Sequence, residues 1–141
     1  MKFNKSVSSS RRKSRKAHFT ANDAKRRIIM SSNLSKELRE KYVFKSFPIV
    51  KGDEVLVLTG DLKGKTGKVI KVNRATYRVT LDITYREKKN GQIARFGIHS
   101  SSLQITKFCT DYNREALLEK KKAARIAGDM EKAKRKEMLS Q

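Results

Sequence analysis

Apolar side chains are concentrated in the middle of this 141-residue chain, while positive charge is heaviest before them. Residues 49–107 hold eighteen of the Val, Ile, Leu and Phe residues, against three in 1–27, seven in 28–48 and five in 108–141. Net charge runs +11 over 1–48, +7 over 49–107 and +3 over 108–141. The chain can therefore bury one small core and must carry the rest as extensions. Altogether 35 Lys and Arg face 14 Asp and Glu, for a formal charge of +21. Self-repulsion on that scale opposes compaction until an anion neutralises it, so the expected partner is a polyanion. A single Cys excludes a disulfide framework and a cysteine-based zinc site. No apolar run approaches the ~18 residues of a membrane span, and the basic start lacks the apolar stretch of a signal peptide.

Four segments follow from these shifts: a basic arm (1–27), a short helix with its connector (28–48), the core (49–107) and a charged helical tail (108–141). The arm combines Ser with Arg and Lys and shows neither a period of 2 nor one of 3.6. It cannot bury enough apolar surface to offset its ordering entropy, so alone it is expected to be disordered and to order on RNA. The bland alternative is a nuclear-import or solubilising tail.

Leu34, Leu38 and Tyr42 recur every fourth residue, which predicts a helix over 35–42 capped by Asn33 or Ser35 and ended before Pro48. From Asp53 the period changes to two. Strands are expected around 55–58 and 69–72, then a long one over 75–85 in which Tyr77 and Tyr85 face the core. Asn90-Gly91 suits a type I′ turn, with return strands over 92–98 and 103–106. Five short, mostly antiparallel strands in sixty residues predict a mainly β fold, a small curled barrel with helical extensions. The tail is rich in Ala, Lys, Glu and Arg; Asn113 is a candidate cap, and Gly128-Asp129 is expected to interrupt the helix.

Gly60-Asp61-Leu62-Lys63-Gly64-Lys65-Thr66 superficially suggests a phosphate-binding P-loop, but it has one residue too few before Gly-Lys, and a strand rather than a helix follows. As a strand-to-strand loop, its glycines permit close approach of a sugar-phosphate chain. Lys63, Lys65 and Lys68 would add charge beside exposed amides. A mere turn is the competing reading.

Val50-Lys51-Gly52-Asp53-Glu54-Val55-Leu56-Val57, with Gly60, Lys63-Gly64 and Gly67-Lys68-Val69, resembles a KOW motif. The flanks sharpen the likeness: Met1-Lys2-Phe3-Asn4, Arg15-Lys16-Ala17-His18-Phe19, Arg26-Arg27 with Ile29-Met30-Ser31-Ser32, Leu34-Ser35-Lys36-Glu37-Leu38-Arg39, Arg86-Glu87-Lys88, Asn90-Gly91 and Gly97-Ile98-His99. Over residues 1 to about 107 the chain resembles the eukaryotic and archaeal KOW-domain family of the large ribosomal subunit, particularly its eukaryotic form. Ser100 stands where that family commonly has Pro. The resemblance implies an SH3-like barrel and a structural role in the cytosolic large subunit. It also implies binding to the 5′ domain of the 25S/28S-type rRNA and to 5.8S rRNA, near the polypeptide exit tunnel. Contact with neighbouring ribosomal proteins and nucleolar transit during assembly belong to the same expectation, with no cofactor and no homo-oligomer.

The residues expected to meet RNA are Arg11, Arg12, Lys13, Arg15, Lys16, Lys25, Arg26 and Arg27 in the arm. Lys51, Lys63, Gly64, Lys65, Lys68, Lys71 and Arg74 join them on the core. Arg presents a planar fork to phosphate and also stacks on bases. His18 and Phe19 are candidates to stack on unpaired bases; alternatively Phe19 anchors the arm to the barrel. His99 is expected to make a structural hydrogen bond, and Cys109 to be inert. Two histidines, one cysteine and no carboxylate pair on regular elements argue against catalysis. A KOW-containing transcription elongation factor is the runner-up, although this length leaves no room for the second domain such factors ordinarily carry; an RNA-modifying enzyme comes third.

Overall fold

The computed structural model describes residues 3–4, 7–111 and 113–139. The arm, expected to be irregular, is helical: α1 spans Arg11–Phe19 and α2 spans Asp23–Ile29. Neither helix buries a residue fully, and for that reason no apolar period marks them in the sequence. Local bonds and one long-range latch hold them instead. The Asn22 side chain accepts from the Lys25 amide at the start of α2 (3.0 Å), and the Thr20 amide closes α1 onto Lys16.

Strand β1 (Ser31–Leu34) follows, then helix α3 (Lys36–Tyr42) and strand β2 (Ser46–Pro48). The helix expected over 35–42 is thus present. Ser35 is the cap, accepting from the Leu38 amide, and Val43 ends the helix in the left-handed region (φ 65°). The remaining strands are β3 (Glu54–Val57), β4 (Thr66–Asn73), β5 (Arg78–Leu81), β6 (Tyr85–Glu87), β7 (Ile93–Arg95) and β8 (Leu103–Lys107).

Six of these strands form one sheet in the order β2-β1-β8-β3-β4-β5, and β6 and β7 form a separate hairpin. The sheet is open: β2 and β5 are its two edges and do not pair, so the expected closed barrel is not what forms. Six strands form within residues 49–107 where five were expected, and β1 and β2 precede them. β1 and β2 leave no mark in the sequence because three or four residues are too few to show alternation, and β1 joins β8 in parallel. The sheet bends where the β4–β5 register shifts between Val69 and Lys71.

The long 75–85 strand is broken twice. Asn73 accepts from the Ala75 and Thr76 amides, and Tyr77 takes a positive φ of 55°, so the chain turns before β5. Past β5, the buried Thr84 hydroxyl bonds the Leu81 backbone at both its N–H and its carbonyl, turning the chain again. The alternation therefore changes phase: Tyr77 reaches the core as expected, but Tyr85 stands 60% exposed. Asn90-Gly91 does turn a hairpin, through a three-residue connection with Gly91 alone of the pair at positive φ (78°), not a type I′ pair.

The core joins Val55 and Val57 of β3, Val69 of β4, Val79 and Leu81 of β5 and Leu103 and Ile105 of β8 with Met30, Leu34, Phe44 and Phe47. Helix α4 (Arg114–Leu139) leaves this core without interruption. A glycine costs about 1 kcal/mol in an exposed helix, too little to break one built mostly of Ala, Lys, Glu and Arg. Arg125 and Lys132 both pair with Asp129, bracing the turns around Gly128. Asn113 precedes α4 in a left-handed conformation (φ 56°).

One buried ion pair fastens α4 to the sheet. Asp53 is fully buried and Arg114 nearly so; Nη1 of Arg114 meets Oδ1 of Asp53, and Nη2 meets Oδ2 at 2.8 Å. Asp53 also accepts from the amides of Val50 and Cys109, while Nη2 of Arg114 donates to the Pro48 carbonyl. The guanidinium lies over the rings of Phe47 and Phe108 (5.5 and 5.0 Å). Two turns on, Lys121 donates to the Ser46 carbonyl at 2.7 Å and sits over Phe44 and Phe47. Desolvation there lowers its pKa from the usual lysine value.

Candidate nucleic-acid interface

Tyr77 ties the arm to the sheet. Its hydroxyl donates to the His18 carbonyl (2.6 Å), and the His18 ring stacks on it with centroids 4.4 Å apart and planes 22° from parallel. Arg26 lies over the same tyrosine (5.8 Å) and donates to the Phe19 carbonyl. The anchoring role considered for Phe19 thus falls to His18. Phe19 is 59% exposed, with Arg15 over its ring at 5.4 Å.

Docked this way, the arm borders a groove of about 850 Å3 on the sheet. Asp23 of α2 lines one part of it; Ile49, Val50, Lys51, Lys71 and Arg74 line others. Three of the expected RNA-binding cations are therefore brought together, although they lie up to 23 positions apart in sequence. Arg11, Arg12, Lys13, Arg15 and Lys16 stand exposed on α1, and Lys25 is exposed on α2 beside the partly buried Arg26 and Arg27. Lys63, Gly64 and Lys65 lie in the β3–β4 turn, and Lys68 points outward from β4.

Few of the chain's cations are charge-paired within the protein. Among the described residues, Arg86, Lys107, Arg114, Arg125 and Lys132 each have a carboxylate partner within 4 Å. None of the fourteen expected RNA-binding lysines and arginines has one. Their positive field is left uncompensated by the protein itself.

The turn differs from expectation in one respect. Three of its amides are already engaged: Lys63 N–H bonds the Gly60 carbonyl, Gly64 N–H the Val57 carbonyl and Lys65 N–H the Leu62 carbonyl. The Lys68 amide donates to Asp82. At Lys63, Lys65 and Lys68 the ammonium groups, not the amides, are what is offered to a phosphate. Gly64, at φ +82° with open space where a Cβ would stand, still leaves its surroundings clear for close approach. The strand that follows, β4, agrees with rejecting a P-loop.

His99 makes the structural bond expected of it, its Nδ1 accepting from the Ser101 amide (3.2 Å) and so capping the short 3₁₀ turn Ser100–Ser102. Cys109 is a half-buried free thiol that donates to Oδ2 of Asp111 at 2.9 Å. Sequence reasoning misses the exposed cations of the β6–β7 hairpin, Arg86, Lys88, Lys89 and Arg95; the basic run before Asn90-Gly91 is the signal that could have found them. No helix among the described residues is long and apolar enough to cross a membrane.

Comparison with known proteins agrees with the resemblance seen in the sequence. The family model that matches, over residues 8–121, is described as covering the ribosomal proteins L26 of eukaryotes and their archaeal L24-type counterparts. A Dictyostelium discoideum protein named "Large ribosomal subunit protein uL24" is 48% identical over 134 residues, covering 95% of this chain and 96% of the relative. Relatives of the same name from Candida albicans and Schizosaccharomyces pombe are 47% and 45% identical, covering 85% and 86% of this chain and 94% and 96% of their own lengths. The chain belongs to the family of ribosomal proteins that comprises eukaryotic L26 and its archaeal L24-type counterparts.

Proposed function

We propose that this protein is a structural constituent of the large ribosomal subunit that binds rRNA through its helical arm and the adjoining face of the sheet. The observation that supports the proposal is the gathering of Lys51, Lys71 and Arg74 around one groove bordered by the helical arm, whose own eight cations have no carboxylate partner among the described residues. Lys and Arg release condensed counterions when they meet phosphates, which supplies affinity without base reading. The folded rRNA then provides specificity through its shape.

The same reading takes the β3–β4 region as a KOW-type element of an SH3-like fold. It assigns the protein to the 5′ domain of large-subunit rRNA and to 5.8S rRNA, near the polypeptide exit tunnel, with a part in subunit assembly. Neighbouring large-subunit proteins are its other partners, and it works in the cytosolic ribosome after nucleolar transit. These placements rest on the family likeness.

The groove offers a direct test. Replacing Lys51, Lys71 and Arg74 together by Gln is expected to flatten the dependence of log K on log salt by about 2–3 for binding to large-subunit rRNA. All three side chains are exposed, so thermal stability should stay within about 0.5 kcal/mol per substitution. Filter binding across a salt titration reads the slope. An unchanged slope contradicts the assignment of the groove.

A further inference from the structure

Between the two arm helices lies a hollow unlike the cationic groove. Ser14, Ala17 and His18 of α1, Ala21 of the connection, and Lys25, Ile28 and Ile29 of α2 enclose about 380 Å3, with a lining that is mostly carbon. That volume sits at the small end of the range for small-molecule sites, ~300–1,000 Å3. Ile28 is 65% exposed and directly follows Arg26-Arg27 at the end of the basic arm. The chain's own upstream apolar residues leave the hollow unfilled, since Phe3 and Val7 are themselves exposed.

Charge decides what fits. An apolar protein surface would have to approach through the eight cations of α1 and α2, none of which has a counter-charge among the described residues. A nucleotide brings a flat, weakly polar ring and a phosphate together, so one group fills the hollow while the other neutralises its surroundings. Ala17 and Ala21 keep the space free of bulk. His18, whose ring is held by Tyr77, belongs to the lining, and Lys25 supplies charge there.

We infer that the α1–α2 hollow receives a single unpaired base of the rRNA. The inference rests on the proposed RNA-binding function and adds a base-binding subsite to its phosphate contacts. A base held there reports on local RNA shape, because only an unstacked nucleotide can enter.

The test uses the full chain with protein-free large-subunit rRNA. Ala17→Leu fills the hollow with a good helix former, and Ile28→Ser removes apolar lining; neither changes charge. Each is expected to weaken binding about tenfold while leaving the slope of log K against log salt unchanged, with far-UV circular dichroism as for the parent. A photoreactive benzoylphenylalanine in place of Ala17 is expected to crosslink to a nucleotide in assembled subunits. Undiminished affinity in both variants, a flattened slope, or a crosslink to a ribosomal protein instead would overturn the base site. Failure of the parent chain itself to bind rRNA would instead refute the proposed function, so the two failures are distinguishable.

Discussion

Replacing Arg114 by Ala is expected to destabilise the protein by about 3–5 kcal/mol, read as a lower urea midpoint in far-UV circular dichroism. The substitution leaves the Asp53 carboxylate fully buried, with two backbone amides but no cation. It also removes the cation lying over the Phe47 and Phe108 rings and frees the first turn of α4 from the Pro48 carbonyl. Asp53→Ala should cost a similar amount, since it strands the guanidinium instead. The double replacement should cost clearly less than the sum of the two, because once one charge has gone the other is the liability. A strictly additive result would mean that the pair does not act as a unit. Leu118 is buried one turn after Arg114, so losing the anchor should also expose apolar surface where α4 meets the sheet.

Exchanging the eight arm cations Arg11, Arg12, Lys13, Arg15, Lys16, Lys25, Arg26 and Arg27 for Gln is expected to have a still larger effect on binding. A protein that makes 6–10 phosphate contacts loses about 10³–10⁵ in affinity between 50 and 200 mM salt. The parent chain should behave so with large-subunit rRNA. The exchanged chain should be far weaker at low salt and show a slope shallower by about 6, from roughly 0.7–0.9 per contact. Gln is nearly as good a helix former as Arg or Lys, so the helices themselves should survive. Arg26 is the exception to a purely electrostatic role. Its contacts with the Tyr77 ring and the Phe19 carbonyl make it part of the latch as well. Restoring Arg26 alone should therefore recover arm docking, visible as slower amide exchange in α1, with little recovery of affinity.

Where burial drives an element, its pattern is readable in the sequence. α3 announces itself through Leu38 and Tyr42, which pack against the core, and β3 and β8 through alternating residues of which Val55, Val57, Leu103 and Ile105 are buried. Elements stabilised by polar groups stay hidden. α1 buries nothing, so its helix leaves no period, and the 75–85 stretch misleads because Asn73 and Thr84 bind neighbouring backbone instead of continuing a ladder. The candidate site shows the same division. Composition singles out the arm and turn lysines and arginines, since charge needs no geometry to be noticed. The groove itself gathers Lys51, Lys71 and Arg74, and the arm reaches its edge through the Tyr77–His18 latch, which joins residues 59 positions apart. The Asp53–Arg114 pair spans 61 positions, and nothing local to either residue signals the other.

A hydroxyl-radical footprint on protein-free large-subunit rRNA bears most directly on the claim that arm and sheet form one RNA-binding surface. The parent chain should protect a patch of backbone contiguous in the folded RNA. The eight-residue arm exchange and the Lys51/Lys71/Arg74 exchange should each erase adjoining parts of that patch. Protection that is absent, or lost in two separate regions of the rRNA, would contradict the account.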